Sequence, residues 1–212
     1  MLPLTFYSQN SMNTDWANLN KYALENRNIN SNATNIVFMG DSITEFWKVN
    51  NQSFFANNLF INRGISGQTT PQMLLRFRQD VINLKPKAVV ILAGINDIAE
   101  NTGPISIGQI MENIISMVAL AQANKIKVIL CSVLPAYKFN WNTKLQPADK
   151  VIQLNQMIAT YASKHKITYV DYFTAMVDEN NGLLKKYGDD GVHPNIEGYK
   201  IMEQMVLPIL KN

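Results

Sequence analysis

Apolar residues along this chain fall into two alternating patterns: short runs rich in β-branched residues, and longer stretches in which they return every three or four positions. The runs 35–40 (NIVFMG), 60–64 (FINRG), 87–94 (KAVVILAG), 126–134 (IKVILCSVL) and 167–172 (ITYVDY) predict five strands. Between them, Leu74, Phe77, Val81 and Leu84 share one helical face, with Thr70 placed as an N-cap and Pro71 at the first helical position. Ser106 and Gln109 have capping-box spacing ahead of a second stripe, Ile107, Ile110, Ile114, Met117 and Ala121. Val151, Leu154, Ile158 and Tyr161 mark a third helix. A last one starts near Asn195 and presents Tyr199, Met202, Val206 and Ile209. Residues 1–35, rich in Asn, read as a helical or irregular lead-in. With no repeat, low-complexity tract or linker, 1–212 reads as one domain.

Strands that alternate with helices predict a parallel sheet covered on both faces, because crossovers between parallel strands need a dozen or more residues. The expected class is α/β, a doubly wound three-layer sandwich with flavodoxin-like strand order 2-1-3-4-5. In such a sheet the ligand crevice opens at the carboxyl ends of the strands, where the order reverses. The loops after strands 1, 2 and 3 are therefore the place to look for chemistry.

Composition narrows the picture. Apolar residues make up 47% and charged residues 17% of the chain, which suits a globular core and excludes disorder. The excess of 19 basic over 16 acidic residues gives only +3, and no run of like charges suggests a nucleic-acid partner. The longest apolar run, around Ala88 to Ala93, is far short of the roughly 18 residues a membrane span needs. The opening MLPLTFYSQN lacks a basic start and a sustained apolar stretch, so the expectation is cytoplasmic unless a leader has been removed. Cys131, the one cysteine, lies in an apolar run and reads as a buried structural thiol.

The three loops read Gly40-Asp41-Ser42-Ile43-Thr44, Gly64-Ile65-Ser66-Gly67-Gln68 and Gly94-Ile95-Asn96-Asp97. Together they offer a serine hydroxyl, a glycine whose backbone N–H a ligand can approach, and an asparagine amide. Those are the parts needed to hold a tetrahedral oxyanion. Serine needs a base, and the chain has two histidines. His165, among lysines, reads as a solvated helix end. His193 follows Asp190 by three residues in a polar turn, a spacing that lets the carboxylate accept from one ring nitrogen while the other faces the serine. Each piece alone is ordinary turn chemistry; their conjunction in one topology carries the reading. One candidate histidine with scattered carboxylates makes no metal site, and no cofactor is expected.

These blocks resemble the SGNH hydrolases, also called GDSL esterases and lipases, and the similarity runs from about Ile36 to the final helix. The resemblance implies that Ser42 is the nucleophile and an oxyanion-hole donor through its backbone N–H. It implies that Gly67 donates through its backbone and Asn96 through its side-chain amide, with His193 as base and Asp190 as its orienting acid. Asp189 falls one residue off the pattern. The implied fold, a five-stranded parallel sheet between helices, agrees with the one read from periodicity. The segments around Ser42 and Gly67 are most similar to the bacterial branch near platelet-activating-factor acetylhydrolase and carbohydrate acetylesterases, which implies small-molecule esters with short acyl groups, acetyl foremost. Trp47, Tyr137, Phe139 and Trp141 are aromatic candidates for the substrate rim. A thioester or lysophospholipid substrate is the alternative within the same machinery. A non-enzymatic flavin or phosphate binder is the rival of another class, since Ser42 and Thr44 lie where a doubly wound sheet cradles phosphate.

Overall fold

The structure, a computed structural model, describes residues 15–29 and 35–211. Five strands form one parallel sheet: β1 (Ile36–Gly40), β2 (Phe60–Gly64), β3 (Ala88–Leu92), β4 (Lys127–Cys131) and β5 (Thr168–Val170), in the order β2-β1-β3-β4-β5. This is the order expected from the sequence. Every residue of β1 and β3 is buried, as strands covered on both faces must be. Among the described residues the helices are α1 (Ala23–Asn28), α2 (Ser42–Asn50), α3 (Gln52–Asn57), α4 (Thr70–Asp80), α5 (Ile95–Ile98), α6 (Ile107–Ala123), α7 (Ala148–Lys164), α8 (Tyr172–Met176) and α9 (Ile196–Lys211). The step from β1 to β2 runs opposite to the later steps across the sheet, so right-handed crossovers divide the helices between its faces. On one face α4, α6 and α7 pack in succession, with α1 against α4; on the other, α2 packs with α3 and α9, and α8 with α9.

Register positions the site. Gly40 pairs with Gly64 on one side and Leu92 on the other, so the three central strands end level and their loops leave from one line. The start of α2 crosses these ends closely. A Cβ on Gly64 would lie 2.1 Å from the backbone nitrogen of Glu45, which only glycine avoids.

Several boundaries differ from the sequence reading. The cap of α4 is Thr69, whose N–H donates to Gln72 Oε1 at 3.0 Å, because the Thr70 hydroxyl is drawn to Asp97 instead. That helix stops at Asp80, and Leu84 is buried from a 3-10 turn, Ile82–Leu84. In α9 the buried stripe ends on Leu210 where Ile209 was expected; Asn195 caps it, accepting from the Gly198 N–H at 3.0 Å. Of the lead-in, the described part contains only α1; residues 1–14 and 30–34 lie outside the described residues. Cys131 is buried, and burial pushes its thiol up to about 12, so it stays protonated.

The clearest correction concerns Trp47. It lies five residues beyond Ser42, about 140° around the helix, which turns it away from the crevice. At 1% exposure it stacks on Phe54 and Tyr199 at centroid distances of 5.2 and 5.6 Å, with Phe38 edge-on at 5.5 Å. Its indole N–H donates to Glu203 Oε1 at 3.0 Å. Trp47 is therefore the centre of the core beneath α2 and α9. Trp47→Ala is expected to cost about 3–5 kcal/mol and to lower the thermal midpoint by about 6 °C or more, measured by calorimetry. An unchanged midpoint would contradict the burial.

Candidate active site

β1 ends at Gly40, and the chain turns at once into α2. Asp41 caps that helix by accepting from the Ile43 N–H at 2.9 Å, which makes Ser42 its first residue rather than part of a loop. The first N–H groups of a helix have no intrahelical partner, and the Ser42 N–H is such a donor. The Ser42 hydroxyl lies 2.8 Å from His193 Nε2. His193 Nδ1 lies 2.7 Å from Asp190 Oδ2, while Asp190 Oδ1 accepts from the N–H groups of Val192 and His193 at 2.9 and 2.8 Å. Burial alone would raise the Asp190 carboxyl; the His193 N–H and imidazole and the Val192 N–H outweigh it and hold the group below the usual carboxylate range. An ionised Asp190 keeps the proton on Nδ1 and leaves Nε2 free to accept from Ser42.

A second arm is fastened to the same helix. Gly67 has φ +76, a left-handed turn, and its N–H has no partner among the described residues. Ser66 before it is fastened to Glu45 Oε2 of α2 through its N–H and its hydroxyl, each at 2.7 Å. Asn96, in the one-turn α5, donates from Nδ2 to the Gln68 carbonyl at 3.1 Å. An amide has two N–H groups, so one of them remains for a ligand. Its Oδ1 accepts from Asn101 Nδ2 at 2.9 Å, and the same Asn101 amide donates to the Gly67 carbonyl at 3.2 Å. Asn101 thus fixes which way the Asn96 amide faces and joins it to the Gly67 turn.

The neighbouring Asp97 faces away from this cluster. Its two carboxylate oxygens accept from the Thr70 N–H at 3.0 and 2.9 Å, and Oδ1 takes the Thr70 hydroxyl at 2.6 Å, locking the β3 loop onto α4. Burial pushes Asp97 up to about 6 and Asp41 up to about 7. Beneath both loops lies Arg76, wholly buried: Nη2 donates to the Gly40 carbonyl at 2.9 Å, Nε to Gln68 Oε1 at 2.5 Å and Nη1 to Asp80 Oδ2 at 3.0 Å.

Ser42, His193 and Asp190 come together, and hydrogen bonds tie the Gly67 turn to α2 through Ser66 and to Asn96 through Asn101. The aromatics divide. Trp47 belongs to the core, and Phe139 is wholly buried beneath Trp141, their rings stacked at 5.0 Å, because a ring with a polar loop on one side packs inward. Tyr137 and Trp141 are more than half exposed. His165 caps α7 with Nδ1 donating to the Tyr161 carbonyl at 2.8 Å, away from the site. Sequence reasoning missed Asn101, Glu45 and Arg76, since each acts through a partner distant in the chain, and missed Phe46, whose ring lies 5.4 Å from the His193 ring. Among the described residues no group of three His, Cys, Asp or Glu side chains is placed to hold a metal ion.

Comparison with known proteins agrees with this geometry. A model of the GDSL-like lipase/acylhydrolase family matches residues 38–201. The crystal structure of a GDSL-like lipase from Bacteroides thetaiotaomicron superposes with a TM-score of 0.90 at 49% identity, covering 92% of this chain and 98% of that one. An acetylxylan esterase of Xylanibacter ruminicola is 26% identical over 175 residues, 71% of this chain but 35% of the relative, so the chain spans about a third of that protein. Esterase TesA of Pseudomonas aeruginosa is 28% identical over 71% of this chain and 69% of its own length. With the strand order as expected, and the three crevice loops and the Asp-x-x-His turn inside the matched span, the chain belongs to the GDSL-like lipase/acylhydrolase family.

Proposed function

We propose that this protein is a carboxylic ester hydrolase that removes short acyl groups, acetyl foremost, from a carbohydrate or similar alcohol through an acyl-enzyme on Ser42. The observation that carries the reading is the continuous relay from Ser42 Oγ to His193 to Asp190, at 2.8 and 2.7 Å, beside unpartnered donors on Ser42 and Gly67. Ser42 Oγ attacks the ester carbonyl carbon as its proton passes to His193 Nε2. The carbonyl oxygen gains a full negative charge, which the N–H groups of Ser42 and Gly67 and the free Asn96 N–H stabilise. Collapse breaks the bond to the alkoxy oxygen, and His193 returns the proton to the departing alcohol. Water, activated by the same base, then frees the acid and restores Ser42. The acyl preference is supported by the likeness to an acetylxylan esterase. A phosphate-binding reading leaves the relay without a purpose.

The reading is tested with 4-nitrophenyl acetate. Activity is expected to rise with pH through one ionisation, because His193 accepts a proton only when neutral, whereas Asp190, held below the usual carboxylate range, is ionised throughout. Ser42→Ala and His193→Gln should abolish turnover at an unchanged thermal midpoint, with Asp190→Asn falling less. Full activity in Ser42→Ala would end the proposal.

Asn96→Ala is expected to lower kcat by roughly 10²–10³ with a much smaller change in KM, since the charge it meets develops only in the transition state. Asn101 makes no contact with the reacting atoms in this scheme and acts as a positioning residue. Asn101→Ala should lower kcat by roughly 10- to 100-fold at an unchanged midpoint. Asn101→Asp should be worse than alanine, because a carboxylate only accepts and draws the Asn96 N–H groups away from the oxyanion. Equal rates for the two variants would show that Asn101 does not orient Asn96.

A further inference from the structure

A second feature is left unused by the acyl chemistry. The chain between β4 and α7 and the turn at residues 178–182 enclose a cleft of about 340 Å³. That is at the small end of the range for ligand sites, about 300–1,000 Å³. Its walls include Tyr137, Lys138, Leu145, Gln146, Asp149 and Asn180. The Tyr137 ring is 58% exposed, and among the described residues the side chains of Lys138, Gln146, Asp149 and Asn180 make no hydrogen bond or ion pair. Aromatic ring, amides and one charge of each sign form a surface for a neutral polyol rather than an anion. Apolar ring faces of a sugar stack on an aromatic, and its hydroxyls pair with planar amides and a carboxylate.

The cleft is built, and one of the loops that form it also touches the relay. Asp178 Oδ1 accepts the N–H groups of Asn180 and Gly182 at 2.8 and 2.7 Å, which fixes the turn. Gly182 packs against Tyr137, since a Cβ there would lie 3.1 Å from the tyrosine Cβ. Three residues after Tyr137, Asn140 Nδ2 donates to the Asp190 carbonyl at 3.1 Å. Chain geometry then limits the distance from Tyr137 to Asn140 to about 11 Å between Cα atoms. On the opposite side, Lys150 at the start of α7 pairs with Glu100 at 3.7 Å, next to Asn101. The same loops therefore hold both the cleft and the reactive crevice.

We infer that this cleft is a sugar subsite, which binds an unreacted ring of an acetylated oligosaccharide while an acetyl group elsewhere on the same oligosaccharide meets Ser42. The inference rests on the ester-hydrolase reading above. The test compares kcat/KM for an acetylated xylo-oligosaccharide with that for 4-nitrophenyl acetate, in wild type, Tyr137→Ala, Tyr137→Phe and Asn180→Ala. The ratio of the two constants is expected to fall by about tenfold or more in Tyr137→Ala through KM, to fall in Asn180→Ala, and to stay within about twofold in Tyr137→Phe, which keeps the ring. Thermal midpoints on the same preparations separate lost binding from misfolding. An unchanged ratio in both alanine variants overturns the subsite. So does a wild type that cleaves the aryl acetate but not the oligosaccharide, and that result leaves ester hydrolysis standing. A wild type inert to both substrates removes the hydrolase reading and the subsite together.

Discussion

The buried Arg76 guanidinium is the constraint on which the rest of the site depends. It holds the Gly40 carbonyl at the end of β1, the Gln68 side chain after β2 and the Asp80 carboxylate of its own helix. Gln68 in turn lends its carbonyl to Asn96, so one charge sets the spacing among all three crevice loops. The fork geometry of arginine suits this, because a lysine could not reach three acceptors in fixed directions. Burial makes the arrangement unforgiving. Asp80 also accepts from Asn26 at 2.7 Å, and Asn26 Oδ1 receives two donors from the wholly buried Arg63. Removing one partner of such a network leaves an uncompensated charge inside the protein, which costs several kcal/mol. The polar layer under the crevice thus joins the described lead-in residues to the floor of the site.

Acidic groups around the nucleophile give opposing contributions to stability as pH changes. Folding raises Asp41 to about 7 and Asp97 to about 6, mainly by burial. A carboxyl raised in this way binds more protons folded than unfolded, so the stability it contributes declines as pH rises from about 4 to its folded value. Asp190 and Glu45 are lowered and act in the opposite sense: their contribution is present above the unfolded carboxylate pKa and is lost on acidification.

The fold was legible because a parallel sheet writes itself as repeated apolar runs separated by long amphipathic helices. What escaped were α2, α3, α5 and α8, four to nine residues each, too short to show a periodic stripe. The relay residues and the Gly67 and Asn96 loops were legible as motifs, since their residue types and spacing are local in the chain. Asn101 was not, because its significance lies in reaching Gly67 and Asn96 at once. Trp47 misled for the same reason: its proximity to Ser42 in sequence says nothing about which side of α2 it occupies. Phe139 and Trp141 were inseparable as neighbours, although stacking buries one and exposes the other.

The central claim is that Ser42, Gly67 and Asn96 surround a single oxyanion. It is tested most directly by a crystal structure of the protein inactivated with a 4-nitrophenyl alkylphosphonate, whose phosphorus mimics the tetrahedral carbon. The account predicts phosphorus bonded to Ser42 Oγ, with the phosphoryl oxygen accepting from the N–H groups of Ser42 and Gly67 and from Asn96 Nδ2. Phosphorus on another side chain, or a phosphoryl oxygen turned away from those three donors, would contradict it.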